Sequence, residues 1–420
     1  MGTRQQFSLA AYWFAVNLHW IALLQIIIPK QVEQMAPERQ ALWMSFILGV
    51  GAVIPAVVPP VVGALSDRCV SRLGRRKPYM LSGAAVNLFG LGLLWWAGQQ
   101  SNIWLYLAGY LLVQFGNNVA TASYSGIIPD VVPEHQRGTA SGWMAVMTQL
   151  GNITGAVASG ILMSKGYVTA SYLVIAGSLA LFLWITISGM REKCLDETPP
   201  PIDWIAMIKG FWIDPRKHPD FAWVWVTRFL FTLGMWMVQP YVQLYLRDVV
   251  QVKDYVAQTS NLLALALTGA TITGFVGGWV SDQIGRKRVV YIANGMMAVT
   301  AVAFLFSHSL TYTLCVGVIY GLAFGAYYSV DWALGCDVLP NKENAAKDMG
   351  VWHISMVLPQ SLAPFLSGLI LTGCGYTKVL GPEGTEIVKY SMSGYTVTFC
   401  LAAGFLLLSA LLLRNVKGVR

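Results

Sequence analysis

Apolar positions in this chain come in runs of bilayer length, not in the short alternations of a soluble protein. Runs of about 20 apolar residues, each long enough to cross a hydrocarbon core as a helix, fall near 9–29, 41–66, 78–98, 102–127, 138–163 and 168–189. After an interruption they resume near 221–246, 257–280, 289–308, 310–336, 346–371 and 393–413. The pattern predicts an all-α membrane protein of twelve transmembrane helices: a six-helix bundle over 1–189, a cytoplasmic linker over 190–220 and a second six-helix bundle over 221–420. The linker contains REKCLDETPPPIDW and DPRKHPD. Its three consecutive prolines stop the sixth span, and a short interfacial helix is expected at 204–212.

The polar punctuation between the runs repeats. GALSDRCVSRLGRRK at 63–77 is echoed by GWVSDQIGRKR at 278–288, and PDVVPEHQRGTASGWM at 129–144 by CDVLPNKENAAKDMGVW at 336–352. The offsets agree closely: Asp67 to Asp282 is 215 residues, Gly74 to Gly285 is 211, and Asp130 to Asp337 is 207. One unit of roughly 200 residues is written twice, the internal pseudo-symmetry of many transporters.

Composition agrees with burial in lipid. Hydrophobic residues make up 55% of 420 and charged residues 11%, against about 25% charged in an average soluble protein. Charge placement then sets the orientation. With both termini on one side, that side holds 20 Lys and Arg and the other seven, with Arg228 left inside the membrane. The positive-inside rule makes both termini cytoplasmic, in an inner (cytoplasmic) or plasma membrane. The net charge of +8 is thus a topology signal, and no nucleic-acid partner is expected. The partners expected are the lipid bilayer, a solute and a coupling ion, with the chain acting as a monomer.

Six cysteines are spread over both sides and the membrane, so no disulfide framework is expected. H-E-x-x-H, G-x-S-x-G, a Walker-type loop and a strand-borne G-x-G-x-x-G do not occur in usable context, and the five histidines are dispersed. No enzymatic activity, metal or cofactor is expected. Energy would come from ion or solute gradients.

Twelve spans in two halves, with the G-x-x-S-D-R-x-G-R-R-K type loop between spans 2 and 3 and its echo between spans 8 and 9, resemble the major facilitator superfamily. The first loop is lengthened, with seven residues from Asp67 to Gly74 where the second has three from Asp282 to Gly285. This form, with the proline-flanked PDVVPEHQRGTASG after span 4, is similar to sucrose carriers and related glycoside symporters. The resemblance implies alternating access, with the first and fourth helices of each half (spans 1, 4, 7 and 10) lining a cavity.

Physical chemistry gives the repeated loops a second reading besides topology. Their aspartates can accept from a neighbouring helix N-terminus, and their cations can anchor at an anionic leaflet. Asp67, Arg68, Arg75, Arg76, Asp130, Arg137, Asp282, Arg286 and Asp337 are therefore candidates for a cytoplasmic gate.

The polar census of spans 1, 4, 7 and 10 supplies the candidate transport site. Asp331 lies six residues before Asp337, about 9 Å, and Arg228 eight after Asp220, about 12 Å. Their depths match, so an intramembrane pair is feasible, and each charge alone would cost about 2.5 to 3.5 kcal/mol at a helix centre. The pair is a candidate proton-coupling site; a structural ion pair and a direct solute contact stand beside that reading. His19, near mid-membrane, bonds a hydroxylated solute, relays protons or is simply packed. His353 carries the same ambiguity. Planar amides make paired hydrogen bonds to sugar hydroxyls, and aromatic faces cover the ring's apolar side. The substrate-binding candidates are Asn17, His19, Trp20, Gln25, Asn117, Asn118, Gln149, Asn152, Trp236, Gln239, Gln243, Tyr328, Trp332 and Gln360. Few carry charge, which points to a neutral polar solute, a sugar of disaccharide or glycoside type, moved by proton symport.

The chain departs from the resemblance at one place. Sucrose carriers of plants are expected to hold an acidic residue within span 4, where this chain has Asn117, Asn118, Tyr124 and Ser125. Coupling weight shifts to Asp331. Drug antiporters carry G-x-x-x-G-P-x-x-G-G in span 5; here LGNITGAVASG lacks the proline. Proton-antiport export of a drug or metabolite, sodium-coupled glycoside symport and uncoupled uniport remain as alternatives.

Overall fold

Prolines and small polar residues start most of the helices. A proline stands in the first turn of the helices beginning at Lys77 and Pro219, where its missing N–H costs nothing. Asn102, Asp254, Ser309 and Ser391 cap four others by accepting from the third residue on. The structure, a computed structural model, describes residues 2–51, 53–133, 136–190, 192, 213–340, 345–380 and 386–417.

Twelve long helices run through the described residues: α1 Thr3–Met35, α2 Pro37–Asp67, α3 Lys77–Gln99, α4 Ile103–Ser125, α5 Arg137–Ser164, α6 Val168–Gly189, α7 Pro219–Asp248, α8 Tyr255–Ile284, α9 Arg286–Phe304, α10 Leu310–Asp337, α11 Ala345–Gly373 and α12 Met392–Leu413. Nine are long and apolar enough on length and composition to cross a membrane. Polar residues such as Gln114, Asn117 and Asn118 dilute α4. α1 relaxes to a π-helical turn at Leu23–Ile27, and α7 to a 3-10 turn at Gln239–Tyr241. Most of the predicted linker, 193–212, including its expected interfacial helix, lies outside the described residues.

The chain divides into two compact units, Met1–Met35 with Val50–Ile202 and Ala36–Gly49 with Asp203–Arg420. In the first, α1 packs on α5 and α6, and α3 packs on α4. Small residues permit these approaches: Gly151 and Gly155 of α5 face the α1 backbone at Phe14 and Leu18, and Gly116 of α4 faces the α3 backbone at Asn87. In the second unit α8 packs on α10, with Gly321 and Gly325 against the backbone of Ala266 and Ala270.

One element differs from the sequence expectation. The connection after α11 forms a hairpin, β1 Tyr376–Leu380 antiparallel to β2 Glu386–Tyr390, with Tyr376 opposite Tyr390. Its short β-branched alternation escapes notice beside runs of 20 apolar residues. A polar network ties it to the second unit. Arg247 donates to Val388 O, Gln40 Oε1 and Asp248 Oδ1, each at 2.7 Å, and Asp248 also accepts from Tyr395 Oη at 2.8 Å.

Candidate functional site

Three polar clusters stand out. The first is built by the long basic loop of the first unit. Gly74 takes φ +104°, a left-handed value open to glycine, and turns the chain so that Arg75 and Arg76 point back toward the end of α4. Arg75 Nη2 lies 2.6 Å from Asp130 Oδ1 and Arg76 Nε 3.0 Å from Asp130 Oδ2. Arg76 also pairs with Asp67 and donates to Ser66 Oγ at 2.6 Å. The second unit repeats the design more sparely, with Gly285 at φ +96° and Arg286 paired with Asp337. Duplication of sequence is therefore duplication of an ion pair.

Two details differ from expectation. Among the described residues Asp67 accepts from no helix N-terminus and pairs with Arg76. The α3 N-terminus is served instead by Glu192, just beyond α6, whose Oε1 accepts from the backbone N–H of Arg76 at 2.7 Å. Sequence reading passed over Glu192 as one charge in a mixed linker. Arg68 donates to Ala64 O at 3.4 Å in the last turn of α2. The side chains of Arg137 and Asp282 lie outside the described residues.

Burial pushes the Glu192 carboxyl above the usual carboxylate range, against the pull of the Arg76 and Lys77 backbone N–H groups and the nearby guanidinium charges. A carboxyl raised in the folded state stabilises the fold below its unfolded pKa and loses that contribution as pH rises through the folded value. Glu192→Gln keeps an acceptor oxygen and removes the charge. It is expected to melt above the wild type near pH 7 and to lose that advantage near about pH 4. A lower melting temperature at neutral pH would mean that the charge of the cap outweighs its desolvation.

The second cluster lies in the second unit, within the helices. Arg228 of α7 and Asp331 of α10, both 4% exposed, pair through Nε and Oδ2 at 2.9 Å. The rest of the guanidinium is engaged by α11: Nη1 donates to Trp352 O at 3.0 Å and Ser355 Oγ at 3.4 Å, and Cζ lies 3.2 Å from the Trp352 ring centroid. Cation–π contact and carbonyl together hold the arginine even if the carboxylate is discharged. The Tyr328 hydroxyl reaches Met356 Sδ at 4.0 Å. On α7, Gln243 is buried with neither amide atom hydrogen-bonded, and Trp236 Nε1 is likewise buried without a partner. Gln239 and Gln360 are half-buried. The Trp332 side chain lies outside the described residues.

The third cluster is in the first unit. Asn17 donates to Trp13 O at 2.7 Å and to Thr148 Oγ1 of α5 at 3.4 Å. Two residues on, His19 is fully buried, its ring 4.6 Å from that of Trp20, and neither ring nitrogen has a hydrogen-bond partner. Asn152 and Gln149 share a 3.5 Å contact on α5. Asn118 turns back on its own helix, to Gln114, which donates to Tyr110 Oη at 2.8 Å. Asn117 is buried with its Oδ1 unpartnered, and Gln25 is buried in the π-helical turn. The structure thus groups Asn17, Gln149 and Asn152 on the α1–α5 pair, while Asn118 is committed within α4. Among the described residues no group of three or more His, Cys, Asp or Glu is arranged to hold a metal ion.

The profile of the Major Facilitator Superfamily matches residues 7–346 and 224–418. The chain is 27% identical over 186 residues to the general alpha-glucoside permease of Schizosaccharomyces pombe, covering 40% of this chain and 33% of the permease. It is 27% identical over 254 residues to the sucrose transport protein SUT2 of Oryza sativa subsp. japonica, covering 53% and 49%. It is 23% identical over 299 residues to the multidrug resistance protein MdtG of Klebsiella pneumoniae, covering 68% of each. The matches to the sugar carriers therefore span half or less of those proteins. A crystal structure of the nucleoside transporter NupG in a mutant form superposes with a TM-score of 0.75 at 12% identity, covering 98% of this chain and 100% of that one.

Proposed function

Because the chain belongs to the major facilitator superfamily and is a membrane transporter of that family, we propose that it moves a small neutral sugar, a disaccharide or glycoside, by proton symport with alternating access. The observation that carries this reading is the sealed Arg228–Asp331 pair, held between α7 and α10 with Trp352 and Ser355 of α11 against the guanidinium. Protonation of Asp331 removes the charge that holds Arg228, while Trp352, Ser355 and a backbone carbonyl keep the cation solvated. Proton occupancy then changes how α7, α10 and α11 are tied together without exposing a bare charge. A ligand shifts such an equilibrium by its differential affinity for the two states. The unpartnered amide of Gln243, the unpartnered Asn117 Oδ1 and the uncharged third cluster favour a hydroxylated solute over an anion. The names of the alpha-glucoside and sucrose carriers support the same class. In this reading the basic loops face the cytoplasm.

Proteoliposomes with an imposed pH gradient provide the test. Labelled sucrose or maltose is expected to accumulate against its gradient and to stop doing so when the pH gradient is collapsed. Absence of accumulation under both proton and sodium gradients would overturn the reading. The match to the multidrug resistance protein MdtG along two thirds of the chain favours a drug as cargo in the second reading; outward movement of a hydrophobic cation in the same vesicles would select it.

A further inference from the structure

At the end of the first unit away from its basic loop, the tips of α1 and α3 and the α5–α6 turn line an open pocket of about 660 Å³, within the range of small-molecule pockets. Its lining includes Gln31, Gln34, Gln99, Tyr167 and Thr169 and no charged side chain. Gln31 is 3% exposed, and its Oε1 accepts from two buried tyrosine hydroxyls, Tyr106 at 2.9 Å and Tyr172 at 2.5 Å. Those two bonds use both lone-pair directions of the amide oxygen and leave its NH2 as a fixed double donor. The nitrogen lies over Gly98, where a side-chain carbon would collide with it. Thr169 is held in turn by Trp95 Nε1 at 3.0 Å, and the Tyr167 ring is 59% exposed.

We propose that this cavity is a second solute site, taking a neutral hydroxylated molecule of sugar size. The amides and the hydroxyl of the lining suit paired hydrogen bonds to neighbouring hydroxyls, and the tyrosine ring suits the apolar face of a pyranose. An uncharged lining offers nothing to balance a phosphate headgroup or an inorganic ion. The site is built from the first unit alone and uses neither Arg228 nor Asp331. Its ligand class matches that of the proposed transport, and the two are separable by experiment.

The test uses the full chain in detergent, with a reporter cysteine at the rim, Gln34→Cys, and a control in the second unit, His308→Cys. Maleimide labelling is followed by peptide mass, so that native cysteines do not interfere. With sucrose or maltose at ten times the dissociation constant, occupancy of about nine-tenths slows labelling of the reporter about tenfold. The control is expected not to change, and filling the cavity with Ala170→Trp is expected to abolish the protection. If that variant folds poorly, Leu173→Trp serves, since Leu173 is 66% exposed. No slowing by either sugar, equal slowing at the control, or protection that survives the filled cavity would each overturn the site. Protection without vesicle uptake would sink the transport reading and leave the site standing; uptake without protection would do the reverse.

Discussion

Asp331→Asn is expected to abolish uphill accumulation while leaving solute exchange intact. One proton crossing 100 mV releases about 2.3 kcal/mol, and one pH unit adds about 1.4 kcal/mol, a limit of roughly 500-fold accumulation of a neutral solute. A chain coupled through Asp331 alone falls from that limit to about onefold when the carboxyl cannot titrate. Exchange of labelled for unlabelled sugar needs no net proton movement and is expected to continue. The asparagine oxygen can still accept from Arg228, whose other contacts to Trp352 and Ser355 remain, so folding is not the expected casualty. Parallel measurement of gradient-driven uptake and counterflow in vesicles decides the matter. An unchanged gradient response would remove Asp331 as the coupling group, and loss of both activities together would make the pair structural.

The second large effect is on stability, and it contrasts the two copies of the basic loop. Arg76 is 8% exposed and serves Asp67, Asp130 and Ser66 together. Breaking a sealed ion pair typically costs about 3 to 5 kcal/mol, because the partner is left charged and dry. Arg75 retains one contact to Asp130, and Asp67 is 51% exposed, so Arg76→Ala is expected to cost less, about 2 to 3 kcal/mol. In the second unit Arg286 and Asp337 are 28% and 38% exposed, and Arg286→Ala is expected to cost under about 1 kcal/mol. Thermal melts of the two variants in one detergent check the contrast. Arg76→Lys is expected to recover little of the loss, since an ammonium cannot serve three acceptors in the plane of a guanidinium. Equal destabilisation by the two alanine variants would show that exposure is not what separates the copies.

Much of the scaffold was legible along the chain. The apolar runs anticipate all twelve helices, nine of which are by themselves long and apolar enough to cross a bilayer. Depth arithmetic put Arg228 and Asp331 at one level, and their side chains are 2.9 Å apart. What spacing along one helix does not give is the direction in which a side chain faces. For that reason Trp352 and Ser355 around Arg228, and the two tyrosines on Gln31, were not foreseen. Asn118 shows the same limit from the other side: it sits at a plausible depth, yet its amide bonds within its own helix. Glu192 was missed because a cap across 116 residues has no local signature, and the hairpin at 376–390 because its ten strand residues are too few to compete with the helical periodicity around them.

By itself the sequence determined the membrane class, the number of helices, the duplication and the residues that carry charge where charge is costly. These follow from one-dimensional quantities, run length, repeat offset and charge count, that hydration and bilayer thickness convert directly into structure. Only the tertiary structure decided which charges meet, which amides are spent on their own helices and which stay unpartnered, and where an uncharged cavity opens. Those outcomes depend on helix rotation and on approaches of a few ångströms at positions such as Gly116, Gly155 and Gly321, and a hydrogen bond or ion pair forms or fails over less than one such step.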